Sequence, residues 1–346
     1  MAVGMLRRWA SAASVPVFVA RGGGAGLRPV ELSADRRIVA VPSPRHASVV
    51  LAAGRFPGAM GVALDRVHDQ LPPPRAAVWW TADTGEEGPA SLRDATVVSS
   101  TDPVDAVVAA HRAVMVDATR SSPDVFPDVP PNLFEGRGDH GQGGEGMMGG
   151  VPYGRPMAMT ADDRDGLALD PLRFTAGPFL TGFPNGLRAT VTLQGGIVQA
   201  VSLEVLDLGT GRSLDHLDDG VVVTDARRRL RWLSEALRLG GLAALADRAA
   251  RAARSDADPS TFAAVVRRSG LPATWSGIGV VDGVDARARL LRLVDPASSG
   301  AVTGIEKVTL DRLAASLVGA DWSDAIVAIC SFGLDTDVGT RREARP

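Results

Sequence analysis

RIVAVPSPRHASVVLAAGRFPGAMGVALDRVHDQLPPPRAAVWW, residues 37–80, is the stretch that decides the fold. It opens with two short apolar runs, RIVAV at 37–41 and SVVLAA at 48–53, the second closed by Gly54. Such runs, apolar at successive positions, are what a strand buried on both faces requires. The period then changes. Ala59, Val62, Ala63, Leu64 and Val67 fall on one side of a helix, which predicts a helix over 57–70 with that side inward. LPPPR at 71–75 ends it, because consecutive prolines cannot continue a helix. AAVWW at 76–80 reads as a further strand and TVVSS at 96–100 as another. Pro103 then opens PVDAVVAAHRAVMVDA, a helix over 103–118. Strands and helices in alternation from 37 to 118 predict a parallel α/β sheet of flavodoxin-like kind.

Working outward, the upstream segment MAVGMLRRWASAASVPVFVARGGGAG places Arg7 and Arg8 before a short apolar stretch that Arg21 interrupts. That is a poor export signal, and it predicts an interfacial or docking helix. Downstream, 121–186 is rich in Pro, Gly and Asp and has no sustained period. It still holds Phe126, Phe134, Met147, Met148, Tyr153, Met157 and Met159, too many large apolar residues for a solvated tether. The prediction is a long ordered loop laid on a partner, with Phe134, His140, Met147, Met148, Tyr153, Arg155 and Met157 as candidate interface residues.

From 187 the runs LRATVTL and IVQAVSLEV flank QGG and predict a β-hairpin turning at Gly195–Gly196. Beyond it the chain reads as helical. Leu230, Leu233, Leu237, Leu242 and Leu245 form one stripe over 224–254, interrupted at Gly240–Gly241. Asp258–Pro259 suits the start of a helix over 259–268, and further helices fit 283–294 and 308–318.

Composition excludes several classes of function. Net charge is −3, from 37 basic and 40 acidic residues, without the basic excess of a general nucleic-acid binder. Cys330 is the one cysteine, which excludes an internal disulfide framework, a zinc knuckle or a cysteine-ligated iron–sulfur cluster held by this chain alone. No apolar run is long enough to span a membrane. The Gly-rich GRGDHGQGGEG at 136–146 lacks the strand–loop–helix context and the Gly-Lys-Ser/Thr ending of a phosphate loop. His140 with Glu145, or with Asp162, Asp163 and Asp165, has no EF-hand spacing for a hard cation.

Three stretches in this order carry a resemblance. SPRHASVVLAAGRFPGAMGVALDRVHDQLPPPRAAV, with the LRRWASAASVPVFVARGGGAG before it, resembles the 20 kDa subunit of complex I and the small subunit of [NiFe] hydrogenases. GRGDHGQGGEGMMGGVPYGRPMAMTADDRDGLALDPL resembles relatives of energy-converting hydrogenases. GPFLTGFPNGLRATVTLQGGIVQAVSLEV, 177–205, looks like the N-terminal hairpin of the 49 kDa subunit, the counterpart of the large hydrogenase subunit. The resemblance implies a fused, degenerate pair of subunits. Where the 20 kDa subunit has a cysteine pair this chain has Gly22, Gly23 and Gly24, and its third and fourth cysteines fall near Asp83 and Ser100. The counterpart of the quinone-site hairpin, Phe179–Asn185, has no His, and the two Cys pairs of a nickel–iron centre are missing.

The expected architecture is therefore a small-subunit-like α/β half over 1–120, a Gly/Pro-rich docking loop over 121–176, a hairpin-plus-helices (α+β) half over 177–335, and a disordered tail over 336–346. The expected role is a non-catalytic structural or assembly subunit, without cofactor or metal. It would sit at the inner face of the cell membrane with membrane-embedded and peripheral subunits of a complex I-like or hydrogenase-like assembly. Two other readings stay open: a subunit shaping a quinone pocket with clusters held by other chains, and a stand-alone protein binding an anionic ligand at its Gly-rich loop.

Overall fold

A computed structural model describes residues 9–83, 88–126, 161–162, 168–169, 171–217, 223–295, 297 and 309–333. Strands β1 (Val15–Arg21), β2 (Ile38–Ala40), β3 (Val49–Ala53), β4 (Ala76–Trp80) and β5 (Thr96–Val98) form one sheet in the order β2-β1-β3-β4-β5. Every pairing in it is parallel. The order reverses between β1 and β3, the topological switch point of a doubly wound sheet.

β3 and β4 are buried along their whole length, which is why the runs SVVLAA and AAVWW show no polar alternation. Alternate residues serve opposite layers. Val49, Leu51 and Ala53 pack with helix α2 (Val104–Met115), through Val104, Val107 and Val108. Val50 and Ala52 pack with helix α1 (Gly58–His68), through Met60 and Leu64.

Two expectations for this half are corrected. VPVFVAR at 15–21 is the central strand β1, with helix confined within the described residues to 9–12, so the interfacial-helix reading of that segment fails. Between two parallel neighbours an apolar run of six residues, Val15–Ala20, is worth more as a buried strand than as a surface helix. The inward face of α1 is also different: Met60, Gly61, Leu64, Asp65 and His68 are buried, while Val62 is 48% exposed. Small alanines at 59 and 63 made the opposite face look more apolar than it is.

The second half is built on an antiparallel sheet, β10-β9-β8, of β8 (Leu172–Ala176), β9 (Leu187–Gln194) and β10 (Ile197–Val205). The predicted hairpin is β9–β10, and Gly195 and Gly196 both take positive φ at its turn. β8 falls in the stretch assigned to the docking loop. It pairs with β9 from Leu172 to Ala176, so those residues belong to the antiparallel sheet. A two-stranded pair, β6 (Ala161–Asp162) with β7 (Ala168–Leu169), lies in the same stretch.

Helices α3 (Asp225–Leu239) and α4 (Ala243–Arg254) flank the Gly240–Gly241 break. Leu230, Leu233 and Leu237 are fully buried against Ala246, Ala249 and Ala253. α5 (Ala263–Arg268), α6 (Leu271–Thr274), α7 (Ala286–Arg292), α8 (Leu310–Leu317) and α9 (Trp322–Ser331) complete the described helices. Asp258 caps the turn before α5 by accepting from the Ser260 N–H, as its Asp-Pro signature predicts. α9 had no assignment in the sequence. Its apolar side, Ala325, Ala328 and Ile329, packs with Leu187, Ala189 and Val191 of the hairpin. No described helix is long and apolar enough to cross a membrane.

A clasp ties residues 124–126 to the end of α1. Asp69, just after α1, accepts from the N–H groups of Val125 and Phe126, and Arg75 pairs with Asp124. Burial pushes the Asp69 carboxyl up, but the Phe126 and Val125 N–H groups and His68 outweigh it and hold it below the usual carboxylate range. A depressed pKa stabilises the native state above the unfolded value and ceases to do so as pH falls through the native one. Exchange protection of the Val125 and Phe126 amides should therefore persist from neutral pH to about 3.9 and decline below it. Protection unchanged down to pH 2 would contradict this role.

Candidate functional site

The crevice outside the carboxyl ends of β1 and β3 is where a doubly wound sheet holds its ligands, and where the resemblance puts the cluster cysteines. β1 runs out through Arg21 into Gly22, Gly23 and Gly24, and β3 into Gly54 and Arg55. The two loops are stitched to each other. Gly22 N–H donates to Ala53, and Gly23 and Arg55 exchange backbone hydrogen bonds of 2.8 and 2.9 Å.

The second half of the chain fills this crevice. Leu208 is buried on the α1 side of the sheet and Leu214 on the α2 side. Between them the backbone crosses the strand ends, with Leu214 N–H and Ser213 Oγ both donating to the Gly24 carbonyl at 2.8 and 2.9 Å. From the approach to β9, Asn185 Nδ2 donates to the Gly22 carbonyl at 2.6 Å. Arg21 Nη2 donates to the Phe183 carbonyl at 2.7 Å. A Cβ on Gly23 would overlap the Leu208 carbonyl oxygen, and one on Gly22 the Arg55 carbonyl oxygen.

At the centre lies Arg55, 6% exposed. Its Nη1 donates to the Arg212 carbonyl at 2.7 Å and lies 3.4 Å from Asp83 Oδ2, which also accepts from the Arg212 N–H at 2.9 Å. The structure thus brings Gly24 and Asp83 together around a guanidinium. Ser100 is not among them: its carbonyl accepts from Trp80 Nε1 and its hydroxyl donates to Asp102.

These residues do not fit an iron–sulfur cluster. Iron needs thiolates, and the crevice offers glycines without space for a side chain, one carboxylate and a cation with its donors pointed inward. Cys330 sits elsewhere, on α9 with its sulfur facing Gly182. Burial, and then the Glu235 carboxylate, pushes its thiol far up. The folded chain should accordingly react with iodoacetamide at pH 8 at least about tenfold more slowly than the urea-unfolded chain. Equal rates by mass spectrometry would contradict that placement. Among the described residues no group of three or more His, Cys, Asp or Glu side chains is placed to hold a metal ion.

Beside the crevice, Glu31 holds the halves together. It accepts from Arg227 Nε and Nη2, both at 2.7 Å, and from Arg231 Nε at 2.6 Å. Arg231 is 2% exposed and also reaches Asp215 at 3.0 Å. Burial raises the Glu31 carboxyl, but the Arg227 and Arg231 guanidinium groups outweigh it and hold it below the ordinary range.

On the far side of β1 lies a largely apolar cavity of about 450 Å³, between Phe18, Val41, Pro178, Phe179 and Leu239. Its polar lining includes Arg238 and the Arg21–Glu235 ion pair, 3.5 Å apart. The candidate interface residues Phe134, His140, Met147, Met148, Tyr153, Arg155 and Met157, and the Gly-rich 136–146, lie outside the described residues.

Neither Arg55 nor Glu31 was singled out in the sequence. Arg55 had one local signal, an arginine directly after the glycine that ends a buried strand. Glu31 had none, since its partners are 196 and 200 residues away. Comparison with protein-family models, with curated proteins and with solved structures finds no significant match.

Proposed function

We propose that this chain is a non-catalytic structural or assembly subunit of a membrane-associated complex of the complex I or energy-converting hydrogenase type. The observation that carries the reading is the state of the switch-point crevice. In a parallel sheet that position is the default ligand site. Here Arg55, Asp83 and residues 206–214 of the same chain occupy it, joined by hydrogen bonds to the glycine loop and to one another. A sheet scaffold whose ligand position has become an internal interface keeps its shape and its outer surfaces, which is what an assembly role needs. Tagged chain recovered from its native membranes should co-purify with polytopic membrane subunits. Recovery as a free chain, from membranes solubilised in mild detergent, would overturn the proposal.

A second reading is favoured by the apolar cavity. It is walled by Phe179, Leu180 and Gly182, the stretch whose resemblance is to the quinone-site hairpin, so this subunit would shape part of a quinone pocket while other chains carry the clusters. Saturable quenching of tryptophan fluorescence by a short-chain ubiquinone analogue, abolished in Leu180→Glu, supports that reading. Quenching unchanged by the substitution counts against it.

A further inference from the structure

Among the described residues, a cleft of about 250 Å³ lies above the ends of β4 and β5, on the carboxyl edge of the parallel sheet. Its walls carry three guanidinium groups, Arg28, Arg227 and Arg254, against two carboxylates, Glu31 and Asp102. Each guanidinium comes from a different element, and Arg28 and Arg227 are braced by structural partners. Arg28 donates to the Thr101 carbonyl at 3.0 Å and lies 6.0 Å over the Trp80 ring. Arg227 is gripped by both oxygens of Glu31, and Arg254, the last residue of α4, lies 3.5 Å from Asp102.

Glu31 does not neutralise its neighbours one for one, because Arg231 shares it from the interior side. Arg231 Nη2 is itself buried with no hydrogen-bond partner. Counting Asp215, which also pairs with Arg231, four guanidinium groups stand here against three carboxylates. Guanidinium groups fixed in position around a concave surface recognise tetrahedral oxyanions, since their planar forks match phosphate oxygens and little entropy is lost on binding. The cleft is smaller than the roughly 300–1,000 Å³ of pockets for drug-sized ligands. That size suits a phosphate or a small phosphomonoester.

We propose that this cleft is a binding site for a phosphate-type oxyanion, with Arg254 as the adjustable member of the arginine set. Arg28 and Arg227 are locked by structural partners, whereas Arg254 makes a long contact of 3.5 Å to a half-exposed Asp102. An arriving phosphate would take Arg254 from Asp102 and leave the rest of the cluster in place. The same chemistry is offered by free phosphate and by a phosphorylated small molecule, so both are used as probes.

The experiment measures thermal stabilisation and calorimetric binding of the full chain with inorganic phosphate, glycerol 3-phosphate and, at matched ionic strength, chloride. Saturable binding of either phosphate compound, absent with chloride, is the expected result. Arg254→Gln should weaken it about tenfold, the scale of one charge-assisted hydrogen-bonding group. Asp102→Asn should tighten it about two- to fivefold by removing the competing carboxylate. Arg251→Gln, exposed on the same helix, should leave it unchanged. A response equal to that of chloride, or binding by Arg254→Gln equal to that of the unaltered chain, would overturn the proposal. So would weaker binding in Asp102→Asn. Because the readout needs only the isolated chain, its failure leaves the assembly role untouched.

Discussion

Glu31→Ala should lower the stability of the chain by about 3–5 kcal/mol, the cost of removing one member of a buried ion-pair cluster and leaving its partners charged. Both partners are enclosed: Arg231 is 2% exposed, and the Arg227 side chain is 14% exposed. A guanidinium does not escape low-dielectric surroundings by becoming neutral, as an amine or carboxyl can. Glu31 also joins residues 28–34, beside the parallel sheet, to α3 of the other half. The loss should therefore show as a lower denaturant midpoint together with a separation of the two halves into distinct transitions. Glu31→Gln keeps the shape but not the charge, and should recover only a minor part of the loss. A destabilisation below about 1 kcal/mol would place this cluster among ordinary surface pairs.

Gly22→Cys with Gly23→Cys restores the thiols that the resemblance calls for, and it should damage the fold without creating a metal site. The Cβ at 22 would meet the Arg55 carbonyl and the Cβ at 23 the Leu208 carbonyl, and both obstacles are backbone. Backbone gives way less readily than a flexible side chain, so the pair should cost at least about 3 kcal/mol, the upper range for overpacking. Leu208 and the strand that leads to it would be displaced from the sheet. Ser100→Cys, at an exposed position on the same edge, should stay within about 0.5 kcal/mol of the parent. Urea denaturation of the two variants side by side separates the cases. A double-cysteine chain as stable as its parent would mean that the crevice has room the hydrogen-bond pattern denies.

The parallel half was legible where burial on two faces left continuous apolar runs, as in SVVLAA and AAVWW. It was misread at VPVFVAR because the preceding pair Arg7 and Arg8 suggested a surface helix, and periodicity over seven residues cannot separate the two. Only its pairing with β2 and β3 decides it. The hairpin was legible because period-two alternation and a Gly-Gly turn agree. β8 was not, because Leu172 is 59% exposed and the strand carries little apolar signal of its own; β9 recruits it. The site was half visible. Gly22–Gly24 and Asp83 stood out by the chemistry they lack, whereas Arg55 and Glu31 act through partners more than 150 residues away in a chain crowded with arginines.

The central claim is that the crevice at the ends of β1 and β3 is filled by this chain's own residues and does not accept an iron–sulfur cluster. It is tested most directly by iron and acid-labile sulfide analysis with an optical spectrum. The full chain would be purified without oxygen and incubated with ferrous iron and sulfide under reducing conditions. The closed crevice predicts iron and sulfide well below one equivalent, and no thiolate-to-iron absorption in the visible range. Stoichiometric iron and sulfide with a stable brown chromophore on the isolated chain would contradict it.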